Sequence, residues 1–273
     1  MKNNYKDKVV VVTGASSGIG LALCYEFASR GAKVVMGARS EEKLEQDCAK
    51  IKATGAEVVY QKVDVKSETE CQVLIQKAVD SFGGVDVLVC NAGISMRALF
   101  DDLQLKVLHE LMDVNFWGTV NCVKYALPYI QRSKGSIVGV SSVAGIHGLP
   151  GRTGYSASKF AMCGFLETIR IENLKKGVHV MIASPGFTAS NVRFSALTAD
   201  GSSQGETPRD EAKMMTSEEV ARRIAKGVLR KKRMLLMEFN GYASFWIKKF
   251  FPRFLDKMFY NHMAKEPDSP FQK

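Results

Sequence analysis

Residues 9–20 read VVVVTGASSGIG. Four valines in succession are too apolar for a strand with one wet face; they suit a parallel strand buried on both sides. The run ends at Thr13, and glycines follow at 14, 18 and 20. A strand that leads through a glycine-rich turn into a helix points unpaired helix amides at an anion, the arrangement that holds a dinucleotide pyrophosphate. The order Gly-x3-Gly-x-Gly departs from the commoner Gly-x-Gly-x-x-Gly, but the physical roles carry over. Gly14 permits the tight turn, Gly18 lets backbone approach the pyrophosphate, and Gly20 lets helix and strand pack closely. Ser16, Ser17 and Ile19 complete the candidate cofactor loop. A glycine turn alone is a weak signal; its place directly after the first strand gives it weight.

The same alternation runs on down the chain. Apolar, β-branched runs at 8–14, 33–38, 57–63, 86–90, 136–142, 179–184 and 233–239 read as strands, and 18–30, 41–54, 67–82, 103–132 and 155–175 read as helices. Strand–helix alternation of this kind predicts an α/β doubly wound parallel sheet. We read residues 1–240 as one Rossmann-type catalytic domain and 241–273 as a helical extension and tail. The 186–216 connection is too long for an ordinary loop and is expected to be functional or disordered.

Composition narrows the function classes. With 46% hydrophobic residues in 273, the chain can bury a sizeable core. Six cysteines stand without CxxC pairs, which suits buried free thiols in a reducing compartment. Four histidines at 109, 147, 179 and 262 lack ligand spacing, so no metal site is expected. Residues 1–14 hold no apolar run long enough for a signal peptide or membrane span, so a cytoplasmic protein is expected. The net charge of +10 is concentrated after residue 220, where 13 Lys/Arg meet 4 Asp/Glu. No nucleic-acid motif accompanies it, and no nucleic-acid partner is expected.

The end of the second strand speaks to the cofactor. An acidic residue there would take ribose hydroxyls. This chain has Ala38 followed by Arg39, and a guanidinium pairs with a 2′-phosphate, which favours NADP(H).

TGASSGIG (13–20), NAG (91–93), VNFWG (114–118), SSVAG (141–145), YSASK (155–159) and SPG (184–186) occur in this order. In that combination the chain resembles the short-chain dehydrogenase/reductase family over roughly residues 6–240. The resemblance implies seven parallel strands, a homodimer or homotetramer, and a catalytic set. Tyr155 would be the acid/base and Lys159, one helical turn on, would lower its pKa and bind the nicotinamide ribose. Ser142 would hydrogen-bond the substrate oxygen, and Asn115 would hold a relay water where the helix bends at 114–118. Asp64 and Val65 would meet the adenine; Asn91, Ala92 and Gly93 would line the adenosine side. Pro185, Gly186, Thr188 and Ser190 would border the nicotinamide.

SNVRFSALTADGS (190–202) and PGRTGYSASK (150–159) resemble the branch of lipid-ketone reductases that includes acyl/alkyl-dihydroxyacetone-phosphate reductase. The resemblance implies NADPH-dependent reduction of a ketone on a lipophilic substrate, such as a 3-ketosphinganine-, acyl-dihydroxyacetone-phosphate- or steroid-like molecule. The alternative is a non-catalytic NADP-binding regulator on the same fold, against which the intact catalytic set speaks. Residues 241–263 mix aromatic and apolar side chains that can cluster on a helical face (Tyr242, Phe245, Trp246, Phe250, Phe254, Met258 and Phe259) with Lys248, Lys249, Arg253 and Lys257. That segment reads either as an interfacial helix on an anionic membrane, making the protein peripheral, or as a pocket cover or subunit contact.

Overall fold

The computed structural model describes residues 4–186, 188, 195–205, 214–237, 239–265, 269 and 271, with the backbone alone for 239 and 240. The opening valines form β1 (Val9–Thr13), and all five of its residues are buried. Val10 and Val12 point into one apolar layer, Val9 and Val11 into the other. This two-sided burial is why the run is apolar at every position rather than at alternate ones.

β1 lies inside a seven-stranded sheet, parallel in every pairing. The others are β2 (Lys33–Ala38), β3 (Val58–Lys62), β4 (Val87–Cys90), β5 (Ser136–Val140), β6 (His179–Ser184) and β7 (Met234–Leu236). Their order is β3-β2-β1-β4-β5-β6-β7, so the chain reverses direction across the sheet between β1 and β4. The doubly wound expectation and the count of seven hold.

Three helices cover one face: α1 (Gly18–Ser29), α2 (Glu41–Lys52) and α7 (Ser217–Leu229), through Leu23, Phe27, Leu44, Ile51 and Ile224. The other face carries α3 (Glu68–Phe82), α5 (Gly118–Ser133) and α6 (Thr153–Glu172), through Leu74, Ile75, Val123, Met162 and Leu166. Each fully buried side chain of this size contributes about 1.5–3 kcal/mol over its exposed state. The start of α3 is fixed by Ser67, whose hydroxyl accepts from the Glu70 amide at 3.2 Å.

The stretch read as one helix over 103–132 is broken. α4 (Leu105–Met112) passes into a π-helical turn, Asp113–Trp117, before α5. The strand read over 233–239 is shorter than expected: β7 stops at Leu236, and α8 (Phe239–Phe250) follows. Its ladder with β6 runs from Met234 opposite Ile182 to Leu236 opposite Ser184. The aromatic, basic segment is two helices rather than one. α9 (Pro252–Ala264) starts at Pro252, after a non-helical Phe251 (φ −135°, ψ 59°). Proline suits the first turn of a helix and cannot continue the one before it.

Candidate active site

The carboxyl ends of β1, β4, β5 and β6 border one cleft of about 810 Å³. Clefts at this position of a doubly wound sheet are where ligands bind.

At one end lies the glycine loop. Gly14 has φ +66°, a left-handed conformation that favours glycine. A Cβ on Gly20 would lie 2.0 Å from the Gly14 carbonyl oxygen and 2.5 Å from Asn91 Nδ2. The expected packing role of Gly20 thus has a specific neighbour. Asn91 braces this loop: its Nδ2 donates to the carbonyls of Thr13 (2.9 Å) and Gly14 (3.3 Å). The Thr13 hydroxyl accepts in turn from the amides of Asn91 and Ala92, each at 3.0 Å. Gly14, Ser16, Ser17, Gly18, Ile19 and Gly20 all line the cleft, as do Asn91, Ala92 and Gly93. Ser17 precedes α1 with extended backbone, and its side chain makes no capping bond.

Buried Ala38 and exposed Arg39 line the rim at the end of β2. Beside them are Asp64 and Val65. The Asp64 carboxylate accepts from the Lys66 amide at 3.1 Å, while its own N–H donates to Glu70 Oε2 at 2.8 Å.

The other end is built on α6 and the end of β5. Tyr155 and Lys159 stand four residues apart on α6, with Nζ 5.8 Å from the centre of the tyrosine ring. Lys159 Nζ donates to the Val140 carbonyl at 2.9 Å. Burial pushes the Lys159 pKa down to about 8, against smaller opposing effects of Cys163 and Cys90. Burial raises the Tyr155 phenol, and a hydrogen bond from Ser142 and the charge of Arg152 pull it back in part. The Ser142 hydroxyl also accepts from the Ala144 amide at 3.3 Å. A phenol beside a hydroxyl and an ammonium group in the wall of a cleft can serve as a proton donor.

Asn115 stands behind the cleft rather than in its wall. It is fully buried in the π turn. Its Oδ1 accepts from the Ile94 amide (2.9 Å), and its Nδ2 donates to the Ile94 carbonyl (3.0 Å) and to Ser158 Oγ (2.9 Å). The side chain therefore ties the turn after β4 to α6. π turns concentrate at functional sites, where the extra residue re-aims a neighbour. Pro185, Gly186 and Thr188 also line the cleft, and Thr188 Oγ1 donates to the Gly186 carbonyl at 3.3 Å. Ser190 lies outside the described residues.

Three features carried no recognisable signal. The Thr13 brace rests on a strand-end residue that sequence alone does not single out. Arg152 Nη1 donates to Ser95 Oγ (2.7 Å) and the Met96 carbonyl (2.8 Å) within the cleft wall. The loop after Ser142 is held from outside by the C-terminal helices. Lys248 Nζ donates to the Ile146 carbonyl at 2.6 Å and sits 4.8 Å from the centre of the Phe160 ring. His147 stacks on Phe259 (5.0 Å between centroids, 23°), with Nε2 3.5 Å from the Asp256 carboxylate. Burial, then the Lys248 charge, hold the His147 pKa below its ordinary value, while Asp256 opposes them. Lys248 and Phe259 thus meet the loop after Ser142 and do not share one face with the exposed Trp246 and Phe250; Phe245 is also half-buried.

Comparison with known proteins agrees with this geometry. The family described as short chain dehydrogenase matches over residues 8–200. The 11-beta-hydroxysteroid dehydrogenase A of Sesamum indicum is 32% identical over 270 residues, covering 96% of this chain and 77% of that protein. The 11-beta-hydroxysteroid dehydrogenase-like 2 of Arabidopsis thaliana is 37% identical over 191 residues, 69% of this chain but only 62% of that protein. Among solved structures, an alcohol dehydrogenase from the archaeon Thermococcus sibiricus, complexed with 5-hydroxy-NADP, is similar with a TM-score of 0.72. It is 27% identical and covers 84% of this chain and 95% of that one. A short chain dehydrogenase/reductase from Burkholderia phymatum, in complex with NAD, shares the fold at a TM-score of 0.81 and 23% identity, over 93% and 96% of the two chains.

Proposed function

The chain belongs to the short-chain dehydrogenase family, an oxidoreductase of carbonyl and alcohol groups, and from that premise we propose that it reduces a ketone on a lipophilic substrate with NADPH. The observation that carries this reading is the meeting of Ser142, Tyr155 and Lys159 at one end of a cleft whose other end is the glycine loop. The loop suits a dinucleotide: glycine at 14 and 20 lets it pack tightly against Asn91 and Ala92, while Gly18 and the start of α1 line the cleft. Arg39, exposed on the cleft rim after a buried Ala38, supports the phosphorylated cofactor over NADH.

A bound reduced nicotinamide supplies the hydride. Tyr155 gives its phenolic proton to the carbonyl oxygen. Ser142 donates a hydrogen bond to the same oxygen as charge develops there. The Lys159 ammonium stabilises the phenolate left on Tyr155, with one of its three protons anchored on Val140.

In the same reading α8 and α9 rest on an anionic membrane surface. No described helix is long and apolar enough to cross a membrane. Support comes from Trp246, Phe250, Phe251 and Phe254, exposed by 53, 62, 66 and 62%, beside exposed Lys249, Arg253 and Lys257. Aromatic and basic groups so mixed suit the headgroup layer.

The test is NADPH oxidation against 3-ketosphinganine, an acyl-dihydroxyacetone phosphate, a ketosteroid and simple aldehydes, with NADH in parallel. Turnover of none overturns the reductase reading, and equal use of NADH overturns the cofactor choice. Co-sedimentation with anionic and zwitterionic vesicles, for wild type and Trp246→Asp/Phe250→Asp, checks the membrane reading; indifference to anionic vesicles at low salt overturns it.

A further inference from the structure

A second cavity, of about 510 Å³, lies between the loop after Ser142 and α9. That volume is within the range of ligand pockets. Leu149, Pro150, Phe259 and Tyr260 supply most of its wall. Leu149 also lines the catalytic cleft, so the two cavities meet at this residue.

The cavity is built rather than left over. Its loop wall is tied to its helix wall by the stack of His147 on Phe259 and the approach of His147 to Asp256. The bond from Lys248 to Ile146 fixes the same loop one residue earlier. His147 Nδ1 is buried there and makes no hydrogen bond. The chamber is open on its far side, where Met258 and Tyr260 are 40% and 53% exposed beside the aromatic patch of α8 and α9.

We propose that this second cavity is a tail subsite, taking the unbranched hydrocarbon chain of a ketone whose carbonyl lies between Ser142 and Tyr155. The inference rests on the carbonyl-reductase reading and narrows its substrate class. A flexible polymethylene chain can bend past Leu149 and occupy both cavities. A rigid fused-ring skeleton cannot follow the same route and would stay in the catalytic cleft. The wall is mixed: Leu149, Pro150, Phe259 and Tyr260 offer a hydrocarbon chain apolar and aromatic contacts, alongside Asp256, Lys257 and Asn261.

The experiment measures kcat/KM for NADPH-dependent reduction of 2-alkanones from butan-2-one to dodecan-2-one, below their solubility limits and without detergent. For wild type, kcat/KM is expected to rise about threefold per added methylene once the chain reaches past Leu149. Gly148 lines the cavity, and a Cβ there would meet no atom within 4 Å. Gly148→Phe therefore puts a ring into the chamber with little strain and should flatten the rise, whereas Gly148→Ala should keep it. Asn261→Trp fills the chamber from α9 and should act like Gly148→Phe. Only the slope with chain length is compared, so a general loss of activity does not imitate the result. A flat wild-type slope, or a slope that survives both filling variants, overturns the subsite. Failure to reduce any ketone overturns the reductase reading instead. Calorimetric titration with dodecan-2-one then still decides the cavity: binding weakened at least tenfold by Gly148→Phe upholds it, and equal or absent binding overturns it.

Discussion

Lys248 of α8 donates from its ammonium to the carbonyl oxygen of Ile146, 2.6 Å away and 102 positions earlier in the chain. Ile146 follows Ser142 by four residues, so a helix beyond the last strand holds the loop that presents a proposed catalytic hydroxyl. Lys248→Met keeps the stem and removes the donor. A hydrogen bond from a charged group is worth about 1.5–3 kcal/mol. The melting temperature should fall by roughly 3–8 °C, and kcat should drop several-fold while NADPH affinity holds. Thermal unfolding together with steady-state kinetics checks this; unchanged kcat would show that the latch does not reach Ser142.

Tyr155→Phe deletes the phenolic oxygen and little else. Loss of a general acid is expected to lower kcat by about 10²- to 10⁴-fold, with NADPH binding, followed by fluorescence titration, within a few-fold of wild type. Wild-type turnover in the variant would remove Tyr155 from the chemistry.

Burial holds the Lys159 pKa at about 8, against an ordinary 10.5. In the unfolded chain the proton stays on up to about pH 10.5, whereas the folded protein releases it near 8. Between those values the unfolded state binds more protons, so rising pH favours the folded state; below 8 the cost of the buried charge is fully present. Tyr155, whose pKa is raised, acts in the opposite sense above about pH 10, where the unfolded chain loses its proton first. The stability of wild type relative to Lys159→Met should therefore increase between pH 7.5 and 10. Urea unfolding of the cofactor-free proteins at several pH values measures it, and a flat or falling difference contradicts the assignment.

Gly20→Ala would set a methyl group 2.0 Å from the Gly14 carbonyl oxygen, against backbone that has no soft side chain to yield. Strain on the order of 3 kcal/mol is expected, together with loss of cofactor binding. Gly84→Ala meets nothing within 4 Å and should stay within about 0.5 kcal/mol. Equal melting temperatures for the two variants would refute the packing role of Gly20.

Arg39→Ala tests the cofactor. A charge-assisted bond to a 2′-phosphate is worth about 1.5–3 kcal/mol, so the KM for NADPH should rise roughly tenfold to a hundredfold. The KM for NADH should barely move. Parallel shifts for both cofactors would mean that Arg39 does not read the phosphate.

The sheet was legible in the sequence because its inner strands, such as β1, β4 and β5, are buried on both faces and so announce themselves as apolar runs. The glycine loop and the Tyr155/Lys159 pair were legible because their spacing serves backbone geometry that few other residues satisfy. β7 was over-extended because Met237 is buried and apolar like a strand residue, although its pairing with β6 stops at Leu236. The inward turn of Lys248 was hidden for a similar reason. Lys248 and Lys249 are chemically alike, and only the docking of α8 decides which one meets Ile146. Asn115 was found by motif, but its partners, Ile94 and Ser158, lie 21 and 43 positions away and leave no local pattern.

β7 completes the sheet at Leu236, and Lys248, Asp256 and Phe259 all come later in the chain. During synthesis the scaffold and the glycine loop can therefore form while Ile146 and His147 still face water. Folding of the sheet and arming of the catalytic loop become two events separated in time. A nascent chain should capture nucleotide once β7 has cleared the ribosome's exit tunnel, before docking of α8 and α9 allows it to turn over a substrate.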